Sequence, residues 1–497
     1  MAPGDDAGLT GEGLTGAGLT VHGLSGARVL VAGLGVSGRA ALEVLASRGA
    51  VVTTVDEHAE EADVRDVARF VADGGLDGVD LVVASPGWPP ANPLLAGAVE
   101  RGVPVWSEVE LAWQTRADRA DGSGPAPWLA VTGTNGKTTT VGMLESMLRA
   151  GGEHAVAAGN VGTPLVRVVA DPSVDVIAVE LSSFQLHFTH SMSAQAAAVL
   201  NVAPDHLDWH GSLEAYAADK GRVYERAQIA CVYNLADPLT EDLVREADVL
   251  EGARAIGITL GTPSVGQLGV VEDVLVDRGF APQRHTHAAE LGTLADLAHL
   301  GGADGAPPHV VQDALAAAAL ALAHGCQPAA VRDGLRAFAP GEHRSQAVAE
   351  VDGVRWIDDS KATNAHAAAA ALAGFAPGSV VWIAGGLAKG ATFDALVEAR
   401  RDRLAGVVLI GADPEPLAGA LARHAPEVPV VRVDPSDTGT VMQRAVEQAR
   451  QLAASVRPGP ANVVLAPASA SMDQFRSYAE RGESFAAAVR ALSPDVG

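Results

Sequence analysis

The side chains that could do chemistry gather around four lysines, Lys137, Lys220, Lys361 and Lys389, the only lysines among 35 basic residues. An amine is a compact charge whose pKa moves readily and which can act as a nucleophile, as a guanidinium cannot. A lysine kept against so strong an arginine preference marks a position that needs an amine. Lys137 lies in Thr132-Gly133-Thr134-Asn135-Gly136-Lys137-Thr138-Thr139. Backbone N–H groups of such a loop can cradle phosphates, the lysine reaches the outer phosphates, and Thr138 can hold Mg²⁺. The run departs from the strict spacing of this motif, because the first glycine would fall at Val131. Glu180 ends the apolar run Val174–Val179, where a metal-binding acid sits in P-loop folds. Ser182 and Ser183 follow it, and their ordinary reading is a helix N-cap. Beyond the next apolar run come Asn201 and Pro204-Asp205-His206-Leu207-Asp208, with His206 favoured for Mg²⁺ or substrate and Lys220 in the helix after it.

Three more strand-end loops lie further on. His343-Arg344 stands at a boundary from which an arginine can reach back to a γ-phosphate. Asp358-Asp359-Ser360-Lys361-Ala362-Thr363-Asn364, Gly385-Gly386 with Lys389, and Pro467 to Phe475 with Ser471-Met472 each follow an apolar run. Each alone fits turn and cap chemistry. Together, two of them bearing rare lysines, they form an edge suited to an anionic small molecule such as a dicarboxylate. Near the N-terminus, Gly33-Leu34-Gly35-Val36-Ser37-Gly38 followed by Asp56 fits a dinucleotide fingerprint, and equally any phosphate held at a helix start.

Buried strand patterns at Val29–Ala32, Val51–Val55 and Val79–Ala84 alternate with helical ones, which predicts a parallel sheet. Asp121–Pro127 reads as a linker. A second unit opens with Trp128–Val131 and continues through strand Ala196–Val202, a helix around Ser212–Ala227 and the Ala-rich helix Asp313–His324. A third, from Gly341, has strands at Val354–Ile357, Val380–Ala384, Val407–Ile410 and Val463–Ala466 and is expected to be parallel α/β again. The fold class is thus α/β in three domains: a Rossmann-like N-terminal domain over 26–124, a central P-loop-type ATP-binding mixed sheet over 125–340, and a Rossmann-like C-terminal domain over 341–497. Residues 1–25 repeat Gly-Leu-Thr/Ser every five residues and read as a flexible leader.

At 48% apolar and 19% charged residues the chain reads as globular. A formal charge of −25 argues against non-specific nucleic-acid binding. Two cysteines without paired spacing suit a reducing compartment, no apolar run reaches membrane-spanning length, and cytoplasmic localisation is expected.

Together these motifs resemble the Mur ligase family over about residues 28–490. Thr132–Thr138, Glu180, Asp205-His206 and His343-Arg344 carry the family-wide likeness. Leu181–Leu186, Asp359–Asn364 and Ser471–Phe475 point to the member that adds D-glutamate to UDP-N-acetylmuramoyl-L-alanine, an acid–amino-acid ligase of class EC 6.3.2.9. The resemblance implies that UDP binds through Gly35, Ser37, Asp56, Ser85 and Gly87, while Asn160 and Ser182 face the muramoyl-alanine. It implies ATP on Gly133, Thr134, Asn135, Gly136, Lys137, Thr138 and Thr139, with Asp313, Arg344 and Asp359 completing the nucleotide site. Two Mg²⁺ ions would be held by Thr138, Glu180, His206 and a carbamylated Lys220. Lys361, Thr363, Lys389, Ser471, Met472 and Tyr478 would line the D-glutamate site. Catalysis would rest on Lys137, His206, Lys220 and Arg344, in a monomer. Where the family often carries an asparagine facing adenine, this chain reads His309-Val310-Val311-Gln312-Asp313. The competing readings are another ATP-dependent amide ligase, a nicotinamide oxidoreductase built on Gly33–Gly38, and a P-loop motor or switch.

Overall fold

The computed structural model describes residues 23–301, 305–341, 343–436, 439–456 and 461–492. Three sheets succeed one another along the chain. The first is fully parallel, in the order β2 (Val51–Val55), β1 (Arg28–Ala32), β3 (Leu81–Ala84), β4 (Val105–Ser107). Residues 1–22 of the expected leader lie outside the described residues. Leu24 is fully buried in the first core, so the ordered chain begins before Arg28.

The second sheet holds nine strands: β5 (Trp128–Thr132), β6 (Ala155–Gly159), β7 (Val176–Glu180), β8 (Ala196–Val199), β9 (Ala230–Asn234), β10 (Arg254–Ile258), β11 (Gln267–Val271), β12 (Val274–Asp277) and β13 (Ala289–Thr293). Their order is β13-β12-β11-β10-β9-β8-β5-β7-β6, parallel except for the antiparallel β12 and β13 at one edge. β5, inside the parallel part between β8 and β7, is buried at all five residues. That is why it reads as a continuous apolar run rather than an alternating one. The Ala-rich helix, Pro308–His324, packs on this sheet and on the helix Lys137–Ala150. It starts five residues earlier than expected, with proline in its first turn, which moves His309, Val310, Val311 and Gln312 from the preceding loop into the helix that already held Asp313. The strand expected over Ala196–Val202 stops at Val199, and Leu200–Val202 leave the sheet as a loop. The helix expected to reach Ala227 ends at Gly221 and continues as a short 3₁₀ turn, Arg222–Tyr224.

The third sheet runs β14 (Gln346–Val351), β15 (Val354–Asp358), β19 (Ala461–Leu465), β16 (Val380–Gly385), β17 (Leu404–Ile410), β18 (Val430–Arg432). It is parallel apart from β14, which pairs antiparallel with β15 and makes the expectation of a purely parallel sheet incorrect. Asp352-Gly353 joins the two strands with both residues at positive φ (54° and 75°). This is the tight hairpin turn that an Asp-Gly pair encodes.

Candidate active site

The loop after β5 is braced before any ligand is considered. Asn201 accepts from the Asn135 N–H (2.9 Å) and donates its amide to the Asn135 carbonyl (3.1 Å), while its own carbonyl accepts from the Thr134 N–H (2.9 Å). Thr132 donates its hydroxyl to Leu181 O across to the β7 end (2.8 Å). Gly136 takes φ +86°, and a side chain there would run into the Asp313 carboxyl, so this position admits only glycine without displacing Asp313. The helix Lys137–Ala150 begins at once, pointing its free N–H groups at the loop.

Two lysines meet on one carbonyl. Lys137 Nζ donates to Gly133 O (2.8 Å) and Thr134 O (3.0 Å), and Lys220 Nζ donates to the same Gly133 O (2.9 Å). Lys220 is 2% exposed and lies over the Tyr216 ring. Burial, reinforced by the Lys137 charge, drives its pKa well below the usual amine value. Burial also lowers that of Lys137.

Glu180 ends β7, and both its oxygens are engaged: Thr138 Oγ1 donates to Oε2 (2.7 Å) and Asn160 Nδ2 to Oε1 (2.9 Å). His206 caps the short helix Leu207–His210 at φ 53° and packs edge-on against Phe184. Burial lowers its pKa, so it is neutral at pH 7, and Lys389 and Lys220 act in the same direction. Among the described residues there is no group of three or more His, Cys, Asp or Glu suited to a metal. The Thr138 hydroxyl and Glu180 carboxylate nevertheless fit Mg²⁺, a hard cation that takes one or two protein oxygens and completes its shell with phosphate and water.

The third domain closes one side of the same cleft. Arg344, Asp359, Lys361 and Thr363 face the Lys137 loop across it. Asn364 donates to Asn135 Oδ1 (3.3 Å) and Asp205 Oδ2 (3.1 Å), and Asn135 Nδ2 meets His366 Nδ1 (2.9 Å). Burial and the nearby Arg344 bring the Lys361 amine down to about 8, and burial brings the Asp359 carboxyl up to about 6. Lys361 Nζ sits 3.9 Å above the Tyr478 ring. His343 and Ser345, on either side of Arg344, both adopt left-handed backbone (φ 62° and 43°).

Of the remaining sequence candidates, one stays at the cleft and the others fall elsewhere. Asp313 lies beside Gly136 at the cleft wall, and burial raises its carboxyl to about 8. Below that pH it is a protonated acid, able to donate as well as accept. Ser182 does not line the cleft; it closes a capping box with Gln185. Ser471 is buried behind the third-domain edge, while Met472 (66% exposed) and Lys389 lie at its surface. Gly35, Ser37, Asp56, Ser85 and Gly87 gather at the carboxyl ends of β1–β3. Asp56 accepts from the N–H groups of Leu34, His58 and Ala59, which holds its carboxyl below the usual range, and Ser85 donates to Gly33 O. Two residues that organise the site carried little signal in the sequence: His366, which meets Asn135, and Arg481, which bonds to Ser360 and Ser469.

Family models match the chain in three consecutive segments: "Mur ligase MurD-like, N-terminal domain" over 27–107, "Mur ligase middle domain" over 131–263 and "Mur ligase, glutamate ligase domain" over 343–469. The chain is 56% identical over 479 residues to the UDP-N-acetylmuramoylalanine–D-glutamate ligase of Streptomyces coelicolor, covering 94% of this chain and 98% of that protein. It is 57% identical over 478 residues to the protein of the same name from Streptomyces avermitilis, with the same coverage. The chain belongs to the Mur ligase family. Among solved structures, a pseudomurein peptide ligase type C from Methanothermus fervidus shares the fold at a TM-score of 0.54 and 17% identity, over 94% of this chain and all of that one. This Mur ligase is accordingly an enzyme of three α/β domains whose central and C-terminal domains face each other across the Lys137 cleft. No helix among the described residues is long and apolar enough to cross a membrane.

Proposed function

We propose that this Mur ligase joins D-glutamate to UDP-N-acetylmuramoyl-L-alanine with cleavage of ATP to ADP and phosphate, a step of peptidoglycan precursor synthesis. The observation that carries the reading is full-length identity above one half to ligases of that name, in a chain whose amine, carboxylate and guanidinium groups meet in one cleft. ATP lies along the Gly133–Thr139 loop. The alanine carboxylate attacks the γ-phosphorus, the bond to ADP breaks, and an acyl phosphate results. Lys137 and Arg344 flank the transferring group and neutralise charge that would keep carboxylate and phosphate apart. Thr138 and Glu180 would hold Mg²⁺, which supplies further neutralisation when bound.

Lys361 and Thr363, with Lys389, Met472 and Tyr478 on the same edge and Ser471 behind it, hold the dicarboxylate. The D-glutamate amine, once deprotonated, attacks the acyl carbon and phosphate leaves. Neutral His206 and the adjacent Asp205 are the two proton acceptors at hand. A free-base Lys220 amine can add to CO₂, forming an N–C bond and releasing a proton. The resulting carbamate would place a carboxylate beside the loop and hold a second ion. UDP lies at the Gly33–Gly38 turn, and the enzyme works as a cytoplasmic monomer where ATP and UDP-linked precursors coexist.

The test is phosphate release from Mg·ATP. Release is expected only with UDP-N-acetylmuramoyl-L-alanine and D-glutamate together, not with L-glutamate. Release without an acceptor amino acid would instead make the chain a nucleotide-hydrolysing switch.

A further inference from the structure

Behind the proposed amino-acid edge lies a side chain that touches no solvent. Arg481, in the helix Tyr478–Arg490, is 1% exposed. Its guanidinium donates from Nε to Ser360 Oγ (3.0 Å), from Nη2 to Ser360 O (2.9 Å) and from Nη1 to Ser469 O (3.0 Å). Ser360 passes the connection on, donating its hydroxyl to Tyr478 O (2.7 Å) and its N–H to Asp358 Oδ1 (2.9 Å). The other Asp358 oxygen accepts from His343 Nδ1 (2.7 Å), next to Arg344. A third loop joins through the Leu387–Ala470 backbone pair and through Gly386, where a Cβ would stand 3.3 Å from Arg481 Nη1. The loops after β15 and β19, far apart in sequence, therefore share one buried fork, and the loop after β16 packs beside it.

The partners chosen by that fork are unusual. All three hydrogen bonds end on neutral oxygens. Asp473 and Asp358 act on the guanidinium only from further away. A buried cation lacking a direct counter-ion costs stability, and a hydrophobic residue of similar volume would avoid that cost. The arrangement becomes intelligible if the positive field has an anion to meet on the other side of the loops. Burial lowers the guanidinium to about 10, which leaves it charged at neutral pH. Gly482 shares the design: any side chain there would strike His343 Nδ1 and Asp358 Oδ2.

We propose that Arg481 is a positioning residue for the amino-acid substrate. It sets the mutual geometry of the Lys361 and Ser471 loops and lends a buried positive charge to the edge that binds the dicarboxylate. The inference rests on the D-glutamate reading of that edge.

The test uses the full chain with Arg481→Lys, Arg481→Met and Ser360→Ala, measuring KM for D-glutamate, ATP and the UDP-sugar separately. Lysine keeps the charge and loses the fork, and methionine loses both. The expected rise in KM for D-glutamate is about ten-fold for Arg481→Lys and larger for Arg481→Met, with the other two KM values within about two-fold. A parallel rise in all three, or an unchanged D-glutamate KM, overturns the proposal. If neither Arg481 variant folds, Ser360→Ala decides, with about a three-fold rise confined to D-glutamate expected and no rise overturning it. Wild-type enzyme without D-glutamate-dependent release would overturn the functional reading as well, so the two failures are distinguishable.

Discussion

Lys220 and Lys137 share the Gly133 carbonyl, and Lys220, 2% exposed, is the one shut away from solvent while Lys137 borders the cleft. The physical outcome is a pair in which the more buried member, Lys220, is driven toward the free base. That form can be carboxylated by CO₂, and an arginine in its place could not be. Lys220→Ala is therefore expected to lower turnover by about 100-fold or more, with partial recovery on adding acetate or formate. In ¹³C-bicarbonate, wild-type protein should show a carbamate resonance that the variant lacks. A fully active variant, or a wild type without the resonance, would remove the carbamate from the mechanism. Lys137, Glu180, His206 and Lys361 could be found in the sequence because each carries its chemistry in a short local motif at a strand end. Arg481 could not, because its three acceptors lie 12 and 121 residues away and only the folded sheet brings them together.

The helix Glu108–Gln114 joins the first domain to the second with two carboxylates. Glu110 accepts from the N–H groups of His190 (2.8 Å) and Ser191 (2.9 Å), and Glu108 Oε1 accepts from Val166 N–H (2.8 Å) at the start of the helix Leu165–Val168. Glu108 is 2% exposed and its second oxygen has no partner, so burial raises its carboxyl to about 7. The folded state thus holds a proton that the unfolded chain releases near pH 4.5. Stability from this group is full below that pH and is lost as pH rises toward about 7. Glu108→Gln keeps the acceptor without the titration. Urea unfolding should find the variant and wild type equal at pH 4.5 and the variant more stable at pH 8, by about 2–3 kcal/mol. Equal stabilities at pH 8 would refute a buried, protonated Glu108. At this scale the parallel strands were legible as apolar runs ending in chemistry. The β11–β12 hairpin was not: its strands are short and meet at Glu272-Asp273, whose Glu272 takes φ 55° without a glycine to announce the turn.

Across the whole molecule, the central and third domains are latched at the Gly133–Thr139 loop and the segment after β8, through Asn364 to Asn135 and Asp205 and through His366 to Asn135. Asn364 also caps the helix Ala365–Ala373 by accepting from Ala367 N–H. Asn364→Asp keeps that cap but sets a second carboxylate against Asp205. The third domain should then sit further from the loop, seen as a larger radius of gyration in solution scattering, with turnover reduced about ten-fold. An unchanged radius and unchanged turnover would mean that the latch does not govern closure. The convergence of lysines has a consequence of another kind. Lys137 and Lys361 border the cleft, Lys220 lies beneath its loop, and Lys389 acts on His206 from the facing edge. Apart from the chain terminus, an amine-reactive label has nowhere else on this protein to attach, so the pattern of labelled side chains is a direct record of which substrates occupy the cleft.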